Sequence, residues 1–369
     1  MMRYTYLLGC VVMFILMTRP SWQANAAEET MIDDEQHTFY YEVDASIDRA
    51  TVNGETIQLT DSSGREVAIN TTVDGHTLAI QPVKPFINFW TYTLSITPDV
   101  KTVDGTSVVN ERQTTTVTLQ QPIDETSANI PAVDRDDYQG QALVTFSYDD
   151  GYANWMDYSL PLHQYYEFPG TYNIIGQYLY DEPNDTYMRP SAVWTADQLG
   201  MEIASHTQHH VFLPSLSDDD IRAEFEQSKE ALAAIDIEST TLAIPFSAYD
   251  DRVRGIAKDY FDGVRVLNHD YNDVQQYDAH WLQSVAVTNT TTFDHIKKWV
   301  DGAIEDRAWL IIMWHDIYPD VDRTIVDDDA KERYDSTPLL LQQTMEYIQS
   351  KQKQQILPVS TAEGLSLTK

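Results

Sequence analysis

Cysteine is almost absent: Cys10 is the only one in 369 residues, so no intrachain disulfide can form, and the chain has no thiolate chemistry if its first residues are removed. Stability must then come from a buried core. Positive charge is also scarce, with 24 Lys+Arg against 58 Asp+Glu and a formal net charge of −34. That balance argues against nucleic acid and anionic membranes as partners and leaves neutral polymers as the better substrates. An apolar run at residues 7–17 is too short for a membrane span. No internal repeat is apparent.

What is present suits a two-domain globular protein. Hydrophobic residues make up 42% and aromatics 11%, enough to bury a proper core. The length fits a catalytic domain of roughly 200 to 250 residues plus a smaller module. Residues 1–26 read as an export signal: Arg3 gives a positive start, residues 7–17 are apolar, and Ala24-Asn25-Ala26 is a small-residue cleavage site, so the mature chain is expected to begin near Ala27. An uncleaved anchor is the alternative. Leu7-Leu8-Gly9-Cys10 has a lipoprotein look, but most of the apolar stretch follows the cysteine. A secreted, extracellular or cell-surface location follows from the signal. The acidic runs Asp218-Asp219-Asp220 and Asp327-Asp328-Asp329 read as solvated surface in preference to calcium sites, and adaptation to a salty medium also fits.

Residues 27–122 predict a small β-sandwich. Residues 39–119 are rich in Thr, Val, Ile and Tyr in alternating runs, broken by the turn pairs Asn53-Gly54, Asp74-Gly75 and Asp104-Gly105. Residues 123–138, with Pro131 and no clear period, predict a linker. From 139 to 369 apolar β-branched runs alternate with amphipathic segments, the strand candidates being 142–146, 171–175, 201–204, 242–244, 263–267, 282–287, 309–314 and 356–359. Between them, Ser217 caps an expected helix with an acidic first turn and Pro338 opens another. Such alternation points to α/β architecture, parallel strands with helices outside.

Three motifs follow three of these strands. Ser147-Tyr148-Asp149-Asp150-Gly151 places adjacent acids at a strand end, where burial is costly unless a cation is near; an acidic turn closed by Gly151 is the alternative. In His206-Thr207-Gln208-His209-His210 the outer histidines are four apart, so a helical turn would put both imidazoles on one side to grip a cation. A surface or core histidine pair is the competing explanation. The strand at 309–314 runs into His315-Asp316, where His315 is either functional or a satisfied core residue. All three fall at C-terminal strand ends, the rim where barrels gather their active-site residues.

Over most of residues 140–360 the sequence resembles the polysaccharide deacetylase family (NodB homology domain, carbohydrate esterase family 4). The family's T-F-D-D-G reads Ser147-Tyr148-Asp149-Asp150-Gly151 here, its H-[ST]-x-x-H reads His206-Thr207-Gln208-His209-His210, and its late strand ending in histidine matches residues 311–315, in that order. The resemblance implies a distorted, incomplete (β/α) barrel and a divalent metal held by Asp150, His206 and His210. It also implies Asp149 as base, His315 as acid and the Phe246 backbone N–H as an oxyanion donor. Zinc suits these ligands best, and cobalt or nickel would also be accommodated. The implied activity is removal of acetyl groups from an N-acetylated polysaccharide or oligosaccharide; the alternatives are an acetylxylan-type O-acetyl esterase and a non-catalytic carbohydrate-binding protein. The sequence departs from the pattern at Ala243-Ile244-Pro245-Phe246, which lacks the family's arginine. Arg265 is expected to replace it beside the base, a surface salt bridge being the other reading. The family's acid-to-tryptophan motif is blurred at Asp278-Ala279-His280-Trp281, and Trp281, Trp314 and Tyr148 are candidate walls for an acetyl group or sugar. The N-terminal region loosely resembles bacterial Ig-like modules, which suggests cell-surface attachment through the sandwich.

Overall fold

The computed structural model describes residues 30–368 except 62–63, 88–89, 120–129, 181–184, 319–320, 322–332 and 352. The expected signal, Cys10, the first part of the expected linker and Asp327-Asp328-Asp329 lie outside the described residues.

The N-terminal region is all-β. One sheet orders its strands Thr30–Ile32, Gln113–Leu119, Thr91–Ile96 and Ile57–Thr60; the other orders Phe39–Glu42, Thr77–Pro82 and Ile69–Asp74. Burial alternates residue by residue in Thr77–Pro82 and Thr91–Ile96, as the period-two side-chain geometry of a strand requires when only one face is covered. Leu59, Leu78, Ile80, Trp90 and Leu94 fill the space between the sheets.

Eight parallel strands follow, with helices between several of them: β1 (Ala142–Tyr148), β2 (Thr171–Ile174), β3 (Glu202–Ser205), β4 (Thr241–Ala243), β5 (Gly263–Leu267), β6 (Leu282–Ala286), β7 (Trp309–Trp314) and β8 (Ile356–Pro358). Strands β1 to β7 form a closed ring, sealed where β7 pairs with β1 from Trp309↔Leu143 to Trp314↔Tyr148. The eighth strand does not complete an eight-membered barrel. It pairs with the first half of β1, from Ile356↔Ala142 to Pro358↔Val144, while β2 takes the last residues, Ser147 and Tyr148, on that strand. The expected distorted barrel is therefore seven-stranded, with β8 filling the gap at its base. β1 and β7 are buried at every position, which is why both read as continuous apolar runs and not as alternating ones.

The far side of the expected linker lies against this barrel. Ile130 is buried and its N–H donates to the Leu199 carbonyl (2.7 Å), while the Val133 N–H donates to Glu363 (2.8 Å). Arg65 of the sandwich pairs with Glu346 (2.7 Å) on the helix Pro338–Ser350. At the N-terminal end of the barrel the half-buried Glu202 accepts from the Thr171 and Thr241 hydroxyls and from the Ala362 N–H of the last helix, Thr361–Thr368.

Candidate metal and acid–base site

Three chain turns beyond β1, β3 and β7 converge at the C-terminal rim of the barrel. Asp149 and Asp150 leave β1 together but face different partners, because Asp150 takes a left-handed conformation (φ 85°) that reverses the chain at once. Asp149 is buried, and its N–H donates to the Trp314 carbonyl (2.9 Å), which fixes it against β7. Asp150 turns its Oδ1 toward the histidines, 3.4 Å from His206 Nε2 and 3.3 Å from His210 Nε2.

The two histidines meet without a helix, contrary to the helical turn expected from their spacing. Residues 206–210 form an irregular loop in which Thr207 (φ 64°) and His210 (φ 53°) are left-handed. That backbone folds back on itself and brings the rings to 4.9 Å. The Glu224 carboxylate pins the loop by accepting from the N–H groups of Gln208 (3.1 Å) and His209 (2.9 Å) and bonding the His209 ring (2.7 Å). His209 thus points away from the other two. His206 Nδ1 sits 2.7 Å from the Ala243 carbonyl, an acceptor only, so Nδ1 carries the proton and Nε2 presents its lone pair to Asp150.

This trio fits a cation. One donor atom from each of Asp150, His206 and His210 lies within 4.8 Å of the others, and the two carboxylate–imidazole separations match the roughly 3.3 Å edge of a tetrahedron with 2.0–2.1 Å bonds. Asp150 Oδ1 is buried with no hydrogen-bond partner among the described residues, a costly arrangement unless something positive sits between the three atoms. Burial pushes the Asp150 carboxyl up, but the neighbouring imidazoles, His206 foremost and then His315 and His210, outweigh it and hold the group well below the usual carboxylate range. Burial and the neighbouring His206 push His210 down to about 4.

Arg265 and the base candidate are in direct contact. Arg265 lies within β5, buried, and its guanidinium pairs with Asp149 Oδ1 and reaches Met313 Sδ (3.0 Å). The surface-salt-bridge reading does not hold. Asn173 on β2, which sequence reasoning missed, also donates to Asp149 Oδ1 (2.9 Å), as well as to Ser147 Oγ and the Tyr148 carbonyl. Its one signal was an amide inside an otherwise apolar strand. Burial raises the Asp149 carboxyl, yet Arg265 first, then His206 and His315, bring it below its ordinary value. Oδ2 stays open, 4.0 Å from His206 Nε2 and 3.9 Å from His315 Nε2.

His315 follows β7, and the Trp155 indole N–H donates to its carbonyl (2.8 Å). Asp316 does not orient it; that carboxylate accepts from Asn154 (2.6 Å) instead. Burial lowers the His315 imidazole despite Asp149 and Asp150. The Phe246 ring lies 4.5 Å from that of His210 and is 64% exposed, presented by a left-handed backbone (φ 56°). Trp314 and Tyr148 are not walls of an open cleft: both are fully buried, and the Tyr148 hydroxyl bonds His163 (2.8 Å). Trp281 stands away from the cluster, against Tyr249 and under Arg254, which pairs with Asp278.

Comparison with known proteins gives two family matches. Residues 136–261 match the family model for polysaccharide deacetylase, and residues 24–118 match that for a bacterial Ig-like domain. A curated relative, chitin deacetylase 1 from Cryptococcus neoformans var. grubii, is 25% identical over 185 residues, 47% of this chain and 36% of that protein, so the chain spans little more than a third of its relative's length. Among solved structures, the chain is similar to the Xyl-CE4 domain of a multidomain xylanase from the hindgut metagenome of Trinervitermes trinervoides (17% identity, 61% of this chain and 90% of that one, TM-score 0.42). It is also similar to the peptidoglycan deacetylase PdaC from Bacillus subtilis (15% identity, 64% and 93%, TM-score 0.39).

Proposed function

Because the chain carries a polysaccharide deacetylase domain behind an Ig-like domain, we propose that it is a metal-dependent hydrolase removing acetyl groups from an N-acetylated polysaccharide or oligosaccharide. The observation that carries this reading is the buried, unpartnered Asp150 Oδ1 facing two imidazole nitrogens. Asp150, His206 and His210 would hold the cation, zinc by ligand type, with cobalt or nickel also accommodated. When bound, it polarises the acetyl carbonyl and acidifies a water molecule.

The remaining steps belong to side chains. Asp149, kept ionised by Arg265 and steadied by Asn173, takes the proton of the attacking water through its open Oδ2. As the water oxygen bonds to the carbonyl carbon, the Phe246 N–H would stabilise the oxyanion, a role worth about 3 kcal/mol for a well-aimed donor. His315 then gives a proton to the sugar nitrogen as the carbon–nitrogen bond breaks, and acetate and a free amine leave. A base lying 3.9 Å from the acid suits a reaction that moves one proton in and one out on the same side of the substrate. The scarcity of basic side chains favours a neutral glycan, and the first 26 residues favour export to the cell surface or medium, with the Ig-like domain as spacer or anchor.

The test is acetate release from chitooligosaccharides, poly-N-acetylglucosamine, peptidoglycan and acetyl-xylan, with and without chelator. Chelator-sensitive release from an N-acetylated substrate is expected. Asp150→Asn should lose bound zinc by more than about 100-fold in affinity, whereas Asp149→Asn should keep zinc and lose about 10²-fold or more in turnover. Zinc retained by Asp150→Asn, or no acetate from any substrate, defeats the proposal.

A further inference from the structure

Histidines that work as acids usually have their second ring nitrogen tied to an acceptor, which fixes both tautomer and tilt. His315 lacks that tie: its Nδ1 is buried without a partner among the described residues. The neighbouring carboxylate of Asp316 is engaged with Asn154. What touches the imidazole is another ring, that of Tyr334, stacked at 4.9 Å between centroids with the planes 25° apart.

The backbone explains why Tyr334 is there. Asp316–Ile317 and Asp335–Ser336 form a short parallel pair in the register Asp316↔Asp335, so His315 and Tyr334 stand one residue upstream on matching positions. The strip is fastened independently of the stack. Asn289 exchanges two hydrogen bonds with the Arg333 backbone (2.8 and 3.1 Å), Arg333 pairs with Asp335 (2.7 Å), and the Tyr318 hydroxyl donates to Asp335 (2.8 Å). Tyr334 itself is 42% exposed, so it is not there to fill the core.

Resting on the reading of His315 as the acid, we infer that Tyr334 is a positioning residue for the reaction: its ring replaces the missing hydrogen-bond anchor and stops the imidazole turning Nε2 away from the leaving group. Offset parallel rings resist tilting about the bond that joins the imidazole to its chain. The ring does this, and the hydroxyl takes no part. Tyr334→Phe should therefore behave as the wild type and Tyr334→Ala should not.

The experiment compares two substrates of the zinc-loaded full chain. An N-acetylated oligosaccharide needs a proton on its departing nitrogen, whereas 4-nitrophenyl acetate expels a stable phenolate without one. Tyr334→Ala should lower kcat on the oligosaccharide about 10-fold or more, a share of the ~10² to 10⁴ that general acids supply, with KM, zinc content and aryl-ester hydrolysis within about two-fold of wild type. His315→Ala supplies the reference pattern. In crystals of Tyr334→Ala the imidazole should spread over more than one rotamer. A loss in KM alone would make Tyr334 a sugar contact, and equal losses on both substrates would make it merely structural; either result, or an imidazole still fixed in the Ala variant, overturns the inference. If His315→Ala shows the leaving-group pattern and Tyr334→Ala does not, only this inference fails. If wild type releases acetate from neither substrate, the deacetylase reading fails and takes it down.

Discussion

At the scale of single residues the site is a balance of charges held in a dry place. Asp149 stays charged because Arg265 lies against it, and neither is comfortable alone in the interior. Arg265→Ala should cost about 3 kcal/mol of stability, raise the Asp149 carboxyl and sharply lower turnover while zinc remains bound. Urea denaturation, metal content and acetate release measure the three effects, and unchanged kinetics would remove Arg265 from the mechanism. His163 offers a pH signature away from the candidate metal site. It is fully buried, with Nδ1 bonded to the Phe168 carbonyl (2.6 Å) and Nε2 to the Tyr148 hydroxyl, and burial pushes it down to about 4 against the raising effect of that carbonyl. A base depressed on folding contributes stability above its unfolded value of about 6.5 and loses it as pH falls toward 4, because the unfolded chain takes the proton first. The swing is about 3 kcal/mol. The unfolding free energy of His163→Gln, already reduced at pH 7, should then fall less steeply between pH 7 and pH 4 than that of wild type.

At the scale of elements, packing decides what substitutions the barrel tolerates. Gly364, in the last helix, lies so close to Trp309 of β7 that a Cβ would overlap the indole ring. Gly364→Ala should push Thr361–Thr368 off the base of the barrel at a cost of about 1 to 3 kcal/mol, seen as a lower melting temperature; an unshifted melt would mean that the indole can move aside. This is also the scale at which the sequence was most readable. All eight strand candidates of the C-terminal region became strands, because each is an apolar β-branched run bounded by polar turns and buried in a parallel sheet. The acids and histidines at their ends were legible for the same reason, since a polar cluster directly after such a run falls on the rim. Local geometry was not. The spacing of His206 and His210 suggests a helix, but left-handed backbone at Thr207 and His210, paid for by Glu224 on another segment, produces the same approach. Tyr334 was invisible, and Asn173 showed only as an amide within its strand, because their partners are set by strand register, which no local pattern encodes.

At the scale of the whole molecule, the net charge of −34 spreads self-repulsion over both regions. Isolated attractions such as Arg65–Glu346, half-exposed, offset little of it, since exposed pairs contribute about 0 to 1 kcal/mol. The melting temperature should therefore rise as sodium chloride is raised from 0.01 M toward 1 M, where the screening length drops from about 30 Å to about 3 Å. A flat response would show that the acids are already far enough apart to ignore one another.

The ring seal between β7 and β1 also bears on when activity can first arise. A ribosome emits Asp150, His206 and His210 long before it emits Trp309–Trp314, so a nascent chain holds these three candidate ligands while its barrel is still an open sheet with two raw edges. On the proposed reading, His315 and the Trp314 carbonyl that fixes Asp149 wait on that last stave, and closure would then set a built-in delay between synthesis and the first turnover.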